Sequence, residues 1–183
     1  PDINSIKSGD IVAISKYIGI EGTSIIAHEK DELTKVLTKE ELDFAKSLSK
    51  KISVLKESRL ASKYSVKHMH DITEGGLLGA VWETSRAIKH GIKIYEDLIP
   101  ILDVTKKITN FYEIDPRRLI SSGSMLMIFE EEDFLKFQKE AEEKSIKVTK
   151  IGEVNSKNND AILSADTEII LSDPGSDELY KVI

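Results

Sequence analysis

His70-Asp71-Ile72-Thr73-Glu74-Gly75-Gly76 is the densest polar and glycine-rich stretch of the chain, and the residues on either side of it decide the fold. Upstream, Val66 to His70 reads as a strand; downstream, Leu77, Leu78, Val81, Trp82, Ser85 and Ile88 repeat with the period of an amphipathic helix whose core face holds Val81 and Trp82. The stretch is therefore a strand-to-helix turn. The N-terminus of a helix leaves main-chain N–H groups without intrahelical partners and favours negative charge, and a glycine pair lets an anion approach with no Cβ in its way. Asp71 could there hold Mg2+, and the Thr73 hydroxyl could donate to a phosphate oxygen. A plainer reading fits the same residues: Asp71 or Thr73 caps the helix, and the glycines ease its packing on a sheet.

Moving outward, Ile11 to Ile14 is a short apolar run of the kind a buried strand shows, after a turn at Gly9-Asp10. A glycine loop is expected next, Lys16 to Thr23, and Gly19-Ile20-Glu21-Gly22-Thr23 offers a second nest of main-chain donors that would face the same cleft or simply serve turn geometry. Helices are expected over Ser24 to Glu29, from Thr38 with Glu41 as capping-box partner through Leu48, over Ile52 to Tyr64, over Ile101 to Tyr112 and over the acidic start Glu131 to Lys144. Strands are expected over Ile92 to Tyr95, Ser124 to Phe129, Lys147 to Val154, Ala161 to Ser164 and Thr167 to Leu171, with turns at Asn155 to Asn159 and at Ala165-Asp166. This order, with adjacent strands near the end, predicts an α/β (α+β) sandwich built on a mixed sheet.

The 183 residues, 40% of them apolar and 32% charged, suffice for one globular domain with a sizeable core. A net charge of −6 with scattered Lys and Arg leaves no basic stripe for a phosphate backbone, so nucleic acid is not an expected partner. No apolar run approaches the ~20 residues of a membrane span, and the protein is expected to be cytoplasmic. The chain has no cysteine, which excludes disulfides, thiolate metal sites and cysteine nucleophiles. His68 and His70 share one face of a strand and suggest a metal site or proton relay, without an identifiable partner ligand.

Met69-His70-Asp71-Ile72-Thr73-Glu74-Gly75-Gly76-Leu77-Leu78-Gly79 resembles the Asp-x-Thr-x-Gly-Gly-Leu segment of the superfamily that includes AIR synthetase, selenophosphate synthetase, thiamine-monophosphate kinase and the hydrogenase-maturation protein HypE. Gly9 to Val12 with Gly19 to Gly22, Ile114 to Leu119 with Ser122-Gly123, and Ile151 to Val154 are similar to further segments of its C-terminal domain, in order. The resemblance implies a layered α/β/α domain over residues 1–183, partly ferredoxin-like, whose missing N-terminal partner domain would supply acidic metal ligands, much of the nucleotide site and a homodimer contact. It further implies ATP, Mg2+ and a small-molecule substrate in the full-length protein. On that reading Gly19, Glu21, Gly22, Thr23, Asp71, Thr73, Glu74, Gly75 and Gly76 would touch phosphate, metal or substrate, with Asp71 on the metal, and the isolated domain would be inactive. Two departures stand out. HypE ends in a carbamoyl-carrying cysteine that this chain lacks, and Glu74 stands where related proteins often carry Arg or Gly. A non-catalytic regulatory or scaffold module that keeps the fold is the alternative.

Overall fold

The computed structural model describes residues 1–155 and 158–183; Ser156 and Lys157, inside the turn expected over Asn155 to Asn159, lie outside the described residues. Strand β1 (Ile11–Ser15) is buried at all five positions, as its unbroken apolar run requires of a central strand covered on both faces. The other strands are β2 (His68–Asp71), β3 (Gly91–Tyr95), β4 (Met125–Phe129), β5 (Val148–Asn155), β6 (Ala161–Ser164) and β7 (Glu168–Ile170). They form one sheet in the order β2-β4-β1-β5-β3-β6-β7. Every pairing is antiparallel except β3 with β6, so the sheet is mixed as expected.

Side chains alternate across a strand, and the alternation here feeds two cores. Val12 and Ile14 join Leu126, Ile128, Ile92 and Ile94 beneath Leu77, Leu78, Val81 and Ile88 of helix α4 (Gly76–Ile88). Ile11 and Ala13 face the opposite way, against Leu60 and Ala61 of α3 (Leu55–Ala61) and Phe134, Phe137 and Ala141 of α6 (Glu131–Glu143). The result is the layered α/β/α arrangement. A third cluster, beside these layers, joins α1 (Ile20–Glu29), α2 (Lys39–Ser47) and α5 (Asp103–Phe111) through Ile26, Ala45, Val104 and Ile108. Each buried Val, Leu, Ile or Phe side chain among these contributes roughly 1.5–3 kcal/mol relative to exposure, and each alanine less. Trp82 is only partly buried against the first core, with the Arg86 guanidinium 5.2 Å from its ring centre, whereas Val81 is fully enclosed.

Local signals explain several boundaries. The Thr38 hydroxyl accepts from the Glu41 main chain at 3.2 Å while Thr38 N–H donates to Glu41 at 3.0 Å, a complete capping box. Behind the Gly9 turn, Asp10 is buried and takes Lys67 Nζ at 2.8 and 2.9 Å, tying the entry of β1 to that of β2. One expectation is corrected here. The helix expected over Ile52 to Tyr64 is only α3, because the Ser53 carbonyl accepts from Lys16 Nζ at 2.7 Å instead of joining a helical ladder. Upstream of it, Lys51 and Ile52 press on Gly123, where a Cβ would stand 2.5 Å from the Lys51 carbonyl oxygen.

Candidate functional site

Antiparallel pairing of β4 with both β1 and β2 brings the C-terminal ends of β1 and β2 and the start of β4 to one edge of the sheet. Three connections meet there: Lys16 to Gly19, Ile72 to Gly75 and Ser121 to Ser124. Main-chain and side-chain bonds lace them together. Ile72 N–H donates to the Ser124 carbonyl at 2.9 Å, and Gly19 N–H donates to the Ser121 hydroxyl at 2.8 Å. The Ser124 hydroxyl donates in turn to the Tyr17 carbonyl.

The first glycine loop is shorter than expected. Helix α1 begins at Ile20, with Gly19 in the left-handed region (φ 69°) as its N-cap, so Glu21, Gly22 and Thr23 lie in the helix. Gly22 is a contact glycine, since a Cβ there would stand 2.4 Å from Leu119 Cγ. Thr23 is fully buried; its hydroxyl donates to the Gly19 carbonyl at 2.7 Å and shares a 2.8 Å hydrogen bond with Thr105. Glu21 alone of this helical turn reaches the rim, accepting from Ser122 N–H at 3.2 Å.

At the second turn Gly75 (φ 84°) caps α4 with no side-chain bond, so neither Asp71 nor Thr73 is the helix cap. The glycines do ease packing, Gly76 against main chain and Gly75 against a proline ring. A Cβ on Gly76 would stand 2.6 Å from the Arg117 carbonyl oxygen, and one on Gly75 3.0 Å from Pro174. The Gly75 N–H, expected to point at an anion, donates to Asp177 Oδ2 at 2.7 Å. The other oxygen of this buried carboxylate accepts from Ile120 and Leu179 N–H at 3.1 and 2.9 Å. An internal carboxylate thus supplies the negative charge that the start of α4 favours.

What remains open at the rim is the pair Asp71 and Glu21, with exposed Thr73 and Glu74 beside them. Glu74 is engaged with Tyr180, whose hydroxyl it holds above the usual phenol range. Desolvation holds the Asp71 carboxyl above the usual carboxylate range and the Glu21 charge adds to the shift, while His70, the Ile72 main chain and Lys16 pull the other way. Asp71 is exposed, and solvent screens these effects. Two oxygen-donor carboxylates suit a hard cation such as Mg2+, which keeps waters and commonly takes one or two carboxylates together with substrate phosphates. Among the described residues no group of three or more His, Asp or Glu is placed to hold a metal. The histidines of β2 stack with ring centres 6.3 Å apart, and His70 Nε2 lies 2.9 Å from Glu83 Oε2.

Sequence reasoning missed Lys16 and Asp177. Lys16 is held at φ 56° with its ammonium on the Ser53 and Gly123 carbonyls, and nothing local announces that. Asp177 carried a weak signal: it follows Pro174-Gly175 and caps the short turn Glu178–Lys181.

The sequence pattern of the AIR synthase related protein, C-terminal domain, matches residues 7–164. The chain belongs to this family. Its AIR synthase-related fold is shared with E. coli HypE, a hydrogenase maturation protein, at a TM-score of 0.78 and 20% identity, covering 99% of this chain and 55% of that one. A HypE structure in complex with ATP superposes at a TM-score of 0.69 and 16% identity, covering 100% of this chain and 55% of that one. These likenesses carry the fold. In sequence, a putative hydrogenase expression/formation protein of Methanocaldococcus jannaschii is 28% identical over 132 residues, which are 70% of this chain and 36% of that protein. The AIR synthase-related chain therefore spans about a third of that relative and little more than half of the HypE structures. Among the described residues no helix is long and apolar enough to cross a membrane.

Proposed function

We propose that this domain forms one wall of a cleft for Mg2+-ATP and a small-molecule substrate in a two-domain, homodimeric, ATP-dependent protein whose other wall is an N-terminal domain. The observation that carries the reading is that Asp71 and Glu21, near enough for the Glu21 charge to push the Asp71 carboxyl upward, stand where three sheet-end connections converge. The ATP complex formed by HypE, a protein of the same fold, supports it. Asp71 and Glu21 would hold the cation, and Thr73 would donate to a phosphate oxygen or to substrate. The cation, when bound, neutralises charge that develops on the transferred group. The residues of this chain contribute position and charge: α1 and β2 fix the two carboxylates, and the Ser121 to Ser124 connection fixes the spacing between those elements. Gly22, Thr23, Gly75 and Gly76 act by shaping the rim from within.

The test is calorimetric titration of Mg2+-ATP into the complete protein, wild type and Asp71→Asn. Loss of one cation ligand is expected to weaken binding about tenfold or more, with the thermal midpoint unchanged or slightly raised because a carboxyl held above its ordinary range is being neutralised. Equal binding by the two proteins would remove Asp71 from the site. The engagement of Gly75 N–H by Asp177 favours a second reading, a regulatory or scaffold module without turnover. Absence of any heat with the wild type would select it.

A further inference from the structure

The fold gathers cations that the sequence scatters. Between α2 and α3 the chain passes through a short 3-10 turn, Leu48–Lys51, and every residue from Ser49 to Ser53 is exposed, as are Leu55 and Lys56 at the start of α3. A cavity flanks this segment on each side. Phe44, Leu48, Lys51 and Lys56 line one of them, and Ser49 and Ile52 line the other together with the outer face of α1. The segment is therefore a ridge, convex toward solvent.

Its surface is apolar and cationic at once. Leu55 is 61% exposed, and Phe44 and Ile52 are each 43% exposed. Lys50, Lys51, Lys56 and Arg59 are exposed too, and none of them has an ion pair among the described residues. From Lys46 to Lys63 the chain carries six cations against one carboxylate, Glu57, on a chain that has 26 of the former and 32 of the latter in all. That carboxylate is buried and already neutralised by Lys16 Nζ at 2.8 Å. The carboxylates of the flanking cavities other than Glu57, Glu21 and Glu29, belong to the α1 side, whereas Lys147 extends the basic side.

Unpaired cations around exposed apolar side chains call for an anionic cover. Three side chains on a ridge present on the order of 300 Å2 of apolar area, short of the apolar share of the roughly 800 Å2 that each partner of a stable protein–protein interface buries. A bilayer needs no socket shaped to the ridge. Apolar side chains enter the boundary between headgroups and acyl chains, while lysine and arginine keep their charges among the lipid phosphates, and the two contributions together meet the need for more than one anchoring signal. The net charge of −6 does not prevent this, because salt confines each charge to about 8–10 Å. We propose that the ridge docks the protein peripherally on an anionic lipid bilayer. Phe44, Ile52 and Leu55 enter the headgroup region, and Lys50, Lys51, Lys56 and Arg59 meet the phosphates. Asp71 has no part in this surface, which does not depend on the nucleotide reading of the rim.

The complete protein is sedimented with vesicles of phosphatidylcholine alone and with vesicles that contain about 30% phosphatidylglycerol. Binding to the anionic vesicles is expected to exceed binding to the neutral ones at least about tenfold, and to fall steeply between about 0.1 and 0.5 M salt. Lys50→Glu/Lys51→Glu is expected to lose at least about tenfold and Leu55→Ser about fivefold. Both variants change exposed positions only, so their thermal midpoints are expected to match the wild type. Asp71→Asn is expected to bind the vesicles as wild type does. Equal binding to the two kinds of vesicle, or undiminished binding in either ridge variant, would overturn the proposal. So would absence of binding to both, which would assign the ridge to an acidic protein partner instead.

Discussion

Helices α1 and α4 begin alike and are finished differently. Each follows a strand of the same sheet, each has a left-handed glycine at its N-cap, and neither cap carries a side-chain bond of its own. At α1 the neighbouring connection supplies neutral partners: Gly19 N–H goes to the Ser121 hydroxyl, and the acidic residue of the first turn, Glu21, stays at the rim. At α4 the chain brings a buried carboxylate, Asp177, onto Gly75 N–H and packs main chain directly on Gly76. The same signature, glycine at a strand-to-helix turn, thus yields an open start in one case and a plugged one in the other. What decides between them is the tertiary partner, which no local pattern encodes.

Single substitutions break this comparison at different strengths. Gly76→Ala is expected to cost most, about 3–5 kcal/mol, because a Cβ would meet the Arg117 carbonyl and Arg118 Cα at 2.6 and 2.8 Å, and φ is already 63°. Urea unfolding of the variant checks this. Asp177→Ala leaves three main-chain donors without their acceptor and is expected to cost about 2–3 kcal/mol, with faster amide exchange at Gly75 and Leu179 as the local readout. Gly19→Ala sharpens the contrast. Its Cβ would make only ordinary contacts at 3.4–3.5 Å, so the left-handed backbone is the main cost, about 1–2 kcal/mol. A loss at Gly19 as large as that at Gly76 would mean that backbone conformation, not close approach, governs both starts.

The strands feeding the two helices differ as well, and pH exposes the difference. Central β1 has no titratable side chain, whereas edge strand β2 carries His68, whose imidazole burial, assisted by the charge of His70, holds below the ordinary histidine range. The unfolded chain then binds protons that the folded one refuses. Stability is complete above the unfolded value near ~6.5 and declines as pH falls through that window toward the lower folded value. The urea midpoint of the wild type is expected to drop more between pH 8 and pH 5.5 than that of His68→Gln. This is the smallest of the effects.

The sheet, its mixed character and most helices were legible because burial imposes periodicity: Ile11 to Ile14, the Leu77 to Ile88 face and the run before Phe129 admit few other readings. The family was legible for a related reason, since the polar and glycine residues at sheet ends recur as spaced motifs. The glycine roles were not. Gly22, Gly75 and Gly76 look like donors' nests in one dimension, and only the approach of Leu119, Pro174 and Arg117 identifies them as contact points. The helix expected over Ile52 to Tyr64 failed likewise, because its propensity lost to the capture of the Ser53 carbonyl by a lysine 37 residues away. Asp71 was singled out for its chemistry and Glu21 only as a member of the glycine loop; what brings their two connections to the same end of the sheet is β4, standing between two strands that are far apart in sequence.

Asp177 lies 102 residues beyond Gly75. On a ribosome adding about 5–20 residues per second, the donor at the head of α4 would wait roughly 5–20 s for its acceptor to be made. The closed turn is therefore a property of the finished domain alone, and the timing of translation, as much as the strength of the bond, sets when this end of the sheet takes its final shape.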